Sequence, residues 1–286
     1  MRPRTPQPWL ALLAFSALAM ILPAQQPAHS PAAAVVTGQP PTTDAHEIIR
    51  RALEAEQQNG ELTRGYIWRQ REVEKQLDPQ GGVRSQEIKT YDITLQYEER
   101  YARLTQKDDK PLDARDQHKE DEKAEKFAFR RRNESPGDRQ KRLDRLKRER
   151  DESRGYLRDF LNAYNFQLAG EEQIDGVSAW VIDASPRQDF KATQPHADIL
   201  NKLKGRLWIE KQGYHWIRVD AEAVETIAIG VVVARIHPGS RARFERVLVN
   251  NEVWMPRRFY FSASARIVLL KNAAVEEEVV FSDFRK

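Results

Sequence analysis

Hydrophobic positions first recur with a helical period between Asp44 and Asn59. Asp44 followed by Glu47 is typical of a capping box, and Asn59-Gly60 is a common helix end. The apolar residues between them are spaced by three and four positions, which places them on one face. The pattern predicts a short amphipathic helix from Asp44 to Asn59. Its apolar positions are Ile48, Ile49, Ala52 and Leu53.

From Tyr66 the period changes to alternation, which is typical of strands with one buried face. A first strand is expected to end near Leu77, before the turn-forming segment 78–82. A second strand returns to Tyr97, and a third covers Arg100 to Gln106. The apolar positions of the second strand are Tyr91, Ile93, Leu95 and Tyr97.

The segment 107–159 is dominated by charged residues of both signs, with few β-branched residues. It predicts two helices, 112–131 and 138–164, because the break between them contains a Pro-Gly pair that interrupts helical geometry. Only the C-terminal half of the second helix carries enough apolar surface to pack firmly. We therefore expect a charged helical insertion over residues 107–164.

The C-terminal part, Phe166 to Lys286, has several alternating segments separated by turn signals such as Asp175-Gly176. Hairpin turns of this kind imply antiparallel neighbours. Apolar and polar residues alternate around Val219 and around Phe261. The run from Ile227 to Ile236 is almost continuously apolar, which predicts one strand covered on both faces.

Together these elements predict an α+β protein. Six or more antiparallel strands are expected to form a curved sheet, an unclosed half barrel. Helices are expected to cover its concave face, because an open apolar sheet face would aggregate. Residues 44–286 are expected to form this single domain.

The N-terminal segment has the pattern of an export signal. Arg2 and Arg4 precede an apolar stretch, Trp9 to Leu22, that is shorter than the ~20 residues of a membrane span. We place cleavage after Ala24, which makes residues 1–24 a signal peptide and the Pro- and Ala-rich residues 25–43 a disordered leader. The mature protein is then expected in the periplasm, with no stable transmembrane span. An uncleaved signal anchor is the alternative.

Composition excludes several classes of function. The 286 residues include 47 Lys and Arg, 43 Asp and Glu, and no Cys. Without Cys there is no disulfide, no Cys-ligated metal, no thiol nucleophile and no lipidated Cys. Basic and acidic residues are interleaved along the chain, whereas a nucleic-acid-binding protein concentrates basic residues on one face. We expect no nucleic-acid partner.

No motif for catalysis or metal binding is present. The six His residues lack the spacing of a helical metal site, and the Gly-rich loops and nucleophile elbow are absent. Adjacent acids such as Glu171-Glu172 and 276–278 are expected to be solvated, since successive strand side chains point to opposite faces. Asp108-Asp109 lacks the Gly and terminal Glu of a calcium loop and is expected to precede a helix. We predict no catalytic residue, no metal site and no cofactor.

The order of the elements resembles the LolA/LolB/LppX superfamily of bacterial periplasmic proteins, some of which are called outer-membrane lipoprotein-sorting proteins. The resemblance covers most of residues 44–286. It rests on the signal peptide, the first helix, the hairpin Tyr66 to Tyr97, the strand pair 170–183 and the segment 205–220. It implies an unclosed antiparallel barrel with a helical lid and a hydrophobic cavity for acyl chains.

Such a cavity needs few polar contacts, because about fifteen methylenes at ~0.8 kcal/mol each carry on the order of 12 kcal/mol of gross transfer free energy. The alternative for each apolar residue is an ordinary closed core. The predicted lining residues are Tyr91, Ile93, Leu95, Trp180, Ile182, Leu207, Ile209, Ile217, Val219, Phe259 and Phe261.

The leading hypothesis is a non-catalytic periplasmic carrier that binds a lipid acyl chain or a lipoprotein. The alternative is an interaction or sensor module that uses the same fold to bind an envelope protein through the charged segment. A third interpretation of the charged segment is that its mixed-charge helices are exposed to solvent and bind no partner. An enzyme is a third class, which no motif supports. The predicted contact surface consists of Arg130, Arg131, Arg132, Arg142, Arg145 and Arg148.

Overall fold

The computed structural model describes residues 43–229, 234–267 and 270–286. The predicted signal peptide and nearly all of the leader lie outside these residues. The described helices are α1 (Ala45–Thr63), α2 (Ala114–Arg132), α3 (Pro136–Ala163) and a 3₁₀ helix (Ala197–Lys202). The described strands are β1 (Ile67–Leu77), β2 (Val83–Gln96), β3 (Glu99–Lys107), β4 (Lys110–Pro111), β5 (Tyr164–Ile174), β6 (Val177–Pro186), β7 (Leu203–Glu210), β8 (Trp216–Ala223), β9 (Ile227–Ile229), β10 (Ala234–Ile236), β11 (Arg241–Val249), β12 (Val253–Ile267) and β13 (Leu270–Arg285).

Eleven of these strands form one path in the order β4-β3-β2-β1-β13-β12-β11-β8-β7-β6-β5. The pairings along it are antiparallel, as hairpin connections require. In the part of the chain that the structure describes, β4 and β5 end the path without pairing to each other. The predicted fold class is confirmed: an α+β protein with a curved, unclosed antiparallel sheet and helices.

The main core lies between one face of the sheet and two helices. α1 packs against β5, β7, β12 and α3, and its four predicted apolar positions are buried. Of the α3 side chains that the structure describes, those in this core lie near the C-terminal end, as the sparse apolar positions of the first half of the helix predicted. We call this side of the sheet the helix-covered face and the other side the open face. We call α1 and residues 156–163 of α3 the roof.

The end predicted for the first helix, at Asn59-Gly60, is wrong, because α1 continues to Thr63. The side-chain amide of Asn59 is buried and makes two hydrogen bonds with the backbone of β12. Its Nδ2 donates to the Trp254 carbonyl at 2.9 Å, and its Oδ1 accepts the Trp254 N–H at 2.8 Å. Arg100 instead meets the helix end, donating to the Thr63 carbonyl at 2.7 Å. Terminal carbonyls that lack an intrahelical partner are satisfied in this way.

A buried ion pair also fixes α1 to the sheet. Arg246 of β11 donates to both carboxylate oxygens of Glu56, at 2.6 and 2.7 Å, and both side chains are almost fully buried. A bidentate guanidinium–carboxylate pair sets orientation as well as distance. The C-terminal part of α1 is therefore anchored by polar contacts to β11 and β12.

The two helices predicted in the charged segment are present with small shifts at their ends. Ser135 caps α3, its hydroxyl accepting the Asp138 N–H at 3.1 Å. α2 lies beside β3, where the Leu104 N–H donates to Glu120 at 3.3 Å. An otherwise unpaired strand edge is thereby covered by a helix.

The single strand predicted from Ile227 to Ile236 is wrong. β9 and β10 pair with each other, with Ile229 opposite Ala234, and β10 also pairs with β12. Residues 230–233 lie outside the described residues. A continuous apolar run carries no periodic marker of where a chain reverses, so the sequence pattern does not separate one strand from two.

Candidate functional site

Most of the predicted cavity residues lie together in the core under the roof. Strands β6, β7 and β8 contribute them at alternate positions, as the period-two pattern requires. Phe259 is partly buried and packs against the same cluster. Ile217 instead lies in a second cluster with Trp208 and Trp254. The buried members of the main cluster are Trp180, Ile182, Leu207, Ile209, Val219 and Phe261.

The three predicted residues of β2 lie in the other half of the sheet. Ile93 is buried, Tyr91 is half-buried, and Leu95 is 48% exposed. The pairing registers place Tyr91 and Ile93 opposite Gln70 and Trp68 of β1. The structure therefore does not bring these residues into the main cluster.

One row of residues crosses the helix-covered face from β5 to β2. Each member pairs with the next across neighbouring strands, so all side chains point to the same side. The middle of the row has only small residues, whereas its far end is acidic. We call this the cross-strand row. Its members in order are Phe166, Ala184, Gly205, Ala221, Ala242, Phe261, Glu277, Glu74 and Glu87.

The acidic end of the row places like charges opposite each other. Glu277 on β13 faces Glu74 on β1, and Glu277 is only 8% exposed. Burial, and then the carboxylates of Glu72 and Glu74, raise the pKa of Glu277 to about 7. Burial, and then the charge of Glu87, also raise the pKa of Glu74. Sequence analysis missed this group because the strand partners of Glu277 are known only from the register.

The roof is held by polar contacts at some positions and by apolar packing at others. Near the N-terminal half of α1, Arg51 donates to the Tyr214 hydroxyl at 2.9 Å, and its guanidinium lies 5.2 Å from the centre of the Tyr214 ring. In α3, the buried Asp159 accepts the backbone N–H groups of Thr193 and Gln194, at 2.8 and 2.9 Å. The segment after β6 is thus attached to α3, while apolar packing dominates around Ile48 and Ile49.

The predicted basic contact surface divides into two groups. Arg142 is buried and donates to Glu134 at 2.9–3.1 Å and to the Tyr97 carbonyl at 3.1 Å. Arg131 and Arg145 pair with Glu99 of β3. These three residues attach the α2–α3 connection to the β2–β3 turn. Arg145 is itself exposed, as are Arg130, Arg132 and Arg148.

Phe129 adds an aromatic side chain to the exposed group. It is 62% exposed, and with Glu125, Lys126, Arg130 and Arg132 it borders a shallow depression of about 760 Å³. We call Phe129 and the three basic residues the α2 patch; Glu125 is the one acid of this lining. The sequence signal for this residue was a Phe at an outward position of a polar helix. The sequence analysis considered only the charged residues of this segment and missed it.

The open face carries a second depression, of about 840 Å³, lined by side chains of both signs. Arg206 pairs with Asp183 at 2.6 Å, and Arg243 donates to both oxygens of Asp220 at 2.8 Å. Cross-strand ion pairs of this kind stabilise a solvated sheet face. Since its carboxylates are engaged by basic neighbours, we assign this ladder to the support of the sheet.

No group of metal-ligating side chains that could hold an ion occurs among residues 43–229, 234–267 and 270–286. Within the same ranges, no helix has the combination of length and apolar character needed to cross a membrane.

Comparison with known proteins finds a distant likeness to solved structures. No protein-family model and no curated protein matches the chain. A DUF1329 family protein from Desulfovibrio piger is 10% identical, with a TM-score of 0.33 and coverage of 85% of this chain and 93% of that one. A LolA superfamily protein from Nitrosomonas europaea is 12% identical, with a TM-score of 0.31 and coverage of 85% and 94%. An outer membrane lipoprotein-sorting protein domain from Vibrio parahaemolyticus is 10% identical, with a TM-score of 0.30 and coverage of 83% and 92%. At these values the likeness concerns the fold alone.

Proposed function

We propose that this protein is an exported, non-catalytic carrier that binds the apolar chain of a lipid or lipoprotein between the roof and the sheet. The observation that carries this proposal is the apolar helix-covered face, whose middle consists of the small residues Ala184, Gly205, Ala221 and Ala242. Small side chains fill little of the space above the sheet, so another group can pack there. Ala184, Ala221 and Ala242 belong to the same buried cluster as Ile48 and Ile49 of α1 and Phe160 of α3.

A bound chain would replace contacts that α1 now makes. The N-terminal half of α1 packs mainly through Ile48, Ile49 and Ala52 and is tied by one hydrogen bond from Arg51 to Tyr214, which lifting would break. Its C-terminal half is fixed through Glu56 and Asn59. Because exchange of one apolar surface for another costs little free energy, the first half can lift while the second half stays attached. Binding would then require no catalytic group.

Analysis of the purified protein tests the proposal directly. The full chain is expressed with its own signal segment, purified from a bacterial periplasm, and examined by native mass spectrometry and organic extraction. We expect an N-terminus at residue 25 and a bound acyl species. A protein that carries no lipid, and that also fails to bind the neutral probe 1-dodecanol, would contradict the proposal.

A pair of variants locates the binding face. Ala221→Leu narrows the cross-strand row under the roof, whereas Ser262→Leu adds the same side chain on the open face, opposite Arg241. We expect the first to weaken 1-dodecanol binding at least fivefold and the second to leave it unchanged. Circular dichroism and thermal melts check that both variants fold. If Ala221→Leu and Ser262→Leu bind 1-dodecanol with equal affinity, the probe does not bind between the roof and the sheet.

A second candidate function is the binding of an envelope protein, and the α2 patch is the observation that favours it. An exposed aromatic ring beside Lys126, Arg130 and Arg132 is suited to an acidic partner surface. A photo-crosslinking residue at position 129 would identify such a partner, with the same residue at the exposed position 62 as the control. Capture at 129 that is lost in Arg130→Glu, with unchanged 1-dodecanol binding, would favour this second function.

A further inference from the structure

We propose that the chain bound under the roof ends in a cationic group, an amine or quaternary ammonium, held by Glu74 and Glu277. This inference rests on the proposed function and adds to it the chemical class of the ligand. We call these two residues the acidic pair.

Among the described residues, the acidic pair makes no direct contact with a basic side chain, although the charge of Lys89 acts on Glu74. Glu74 and Glu277 are opposite each other on β1 and β13, where like charges destabilise a sheet. Within the described ranges, neither carboxylate has a hydrogen bond or an ion pair. The neighbouring acids differ, because Glu72 accepts a hydrogen bond from Gln70 at 2.7 Å and Glu87 pairs with Lys89 at 2.8 Å.

The burial of Glu277 is the second observation that points to a ligand. Its side chain is more than nine-tenths buried and lies next to Phe261 in the cross-strand row. A buried polar group without a partner is costly, and an ionised one more so. A cation placed between the two carboxylates would supply the missing charge, and an ammonium group has the N–H donors to reach both.

The geometry of the row relates this charge to the apolar chain. Neighbouring strands are ~4.8 Å apart, so three strand spacings from Glu277 to Ala221 measure roughly 14 Å. One acyl layer of a membrane is about half of the ~30 Å hydrocarbon core. A chain of that length with its charged end at the acidic pair therefore reaches the small residues under the roof.

The ligand class follows from this arrangement. It is a single-chain amphiphile with a positive end, because the acidic pair repels a carboxylate or phosphate end. Lys89 pairs with Glu87 at 2.8 Å and lowers the pKa of Glu74, but burial and the charge of Glu87 outweigh it and the pKa of Glu74 stays raised. The described part of the chain holds no group of side chains suited to a metal ion, so an organic cation fits better than a divalent one.

Calorimetric titration at pH 8 with three twelve-carbon probes tests the inference: dodecylamine, 1-dodecanol and dodecanoate. We expect the wild-type protein to bind dodecylamine at least tenfold more tightly than 1-dodecanol, and dodecanoate more weakly than either. In Glu74→Gln/Glu277→Gln, the affinity for dodecylamine is expected to fall to that for 1-dodecanol, while 1-dodecanol binding is retained.

Glu276→Gln/Glu278→Gln is the matched control. These residues flank Glu277 but point to the open face, where they contact Tyr260 and Arg258. The control should keep the wild-type preference for dodecylamine. Retained preference in Glu74→Gln/Glu277→Gln, or loss in the control, would overturn the inference.

The same titrations separate the two proposals. Wild-type protein that binds 1-dodecanol without preferring dodecylamine would overturn this inference and leave the carrier function in place. Wild-type protein that binds none of the three probes would overturn the carrier function, and this inference with it.

Discussion

At the scale of single residues, buried polar groups separate anchoring from binding. Glu56 and Asn59 are satisfied by Arg246 and by the backbone of Trp254, and so they fix α1. Glu277 is also buried, at 8% exposed, but among the described residues it faces Glu74 without a hydrogen-bond or ion-pair partner. The same residue type therefore serves attachment in one place and, by our proposal, recognition in another.

Glu56→Ala should lower the free energy of unfolding by about 3–5 kcal/mol, because it leaves the buried Arg246 guanidinium without its carboxylate. Denaturant unfolding followed by circular dichroism measures this loss. Glu54→Ala is the control, since it removes only an exposed pair with Arg50 and should cost less than about 0.5 kcal/mol. Similar losses in both variants would show that the buried pair contributes little.

Glu277 should make stability depend on pH. Its pKa is raised from 4.5 to about 7 in the folded protein, so between these values the native state holds a proton that the unfolded state releases. Glu277 should therefore contribute a fall in the free energy of unfolding, on the order of 3 kcal/mol, as pH rises from 4.5 to 7. Glu277→Gln should remove this contribution. The contributions of Glu72 and Glu74, whose pKa is also raised, and of His215, whose pKa burial lowers to about 4, should remain. Denaturant unfolding at pH 5 and pH 8 measures the contribution of Glu277, with Glu276→Gln as the control. If Glu277→Gln keeps the wild-type change in the free energy of unfolding between these pH values, other groups cause the pH dependence.

At the scale of elements, the charged segment is part of the folded structure rather than an appendage. α2 covers the edge of β3, and Arg142 joins the α2–α3 connection to the β2–β3 turn. The sequence shows the helices and their charges. It does not show that Arg142 is buried while Arg148 is exposed, because that depends on which side of α3 meets the sheet.

Arg142→Ala should loosen this connection, because it removes the donor to the Tyr97 carbonyl and leaves Glu134 with the longer hydrogen bond from Arg131, at 3.4 Å. Amide hydrogen exchange should become faster in α2 and in the first half of α3, with little change in β6 to β8. Arg148→Ala should leave exchange unchanged. Equal exchange in the two variants would mean that other contacts hold the helices.

At the scale of the whole molecule, binding requires the roof and the sheet to separate. The natural absence of Cys makes this motion measurable with one introduced thiol. Position 52 lies on the buried face of α1, in the main core. We expect saturating 1-dodecanol to accelerate alkylation of the thiol in Ala52→Cys severalfold. Leu62→Cys, at a position 47% exposed, should react at the same rate with and without the probe. Slower alkylation of Ala52→Cys in the bound protein would show that the chain enters without lifting α1.

The period of apolar residues determined much of this fold. Alternation around Val219 and Phe261 identifies strands, and the spacing of Ile48, Ile49, Ala52 and Leu53 by three and four positions identifies a helix. One face of each element must leave water. The sequence alone also excluded disulfide and thiol chemistry, since the chain has no Cys. These conclusions require only local pattern and composition.

The tertiary structure decided which strands are neighbours and therefore which side chains meet. Glu74 and Glu277 are far apart in the chain, and only the pairing of β1 with β13 places them opposite each other. The division of the predicted arginines, and the extension of α1 past Asn59, likewise follow from contacts with distant strands. Local periodicity shows which face of an element is buried. The identity of the partner across that face is set by the topology of the whole sheet.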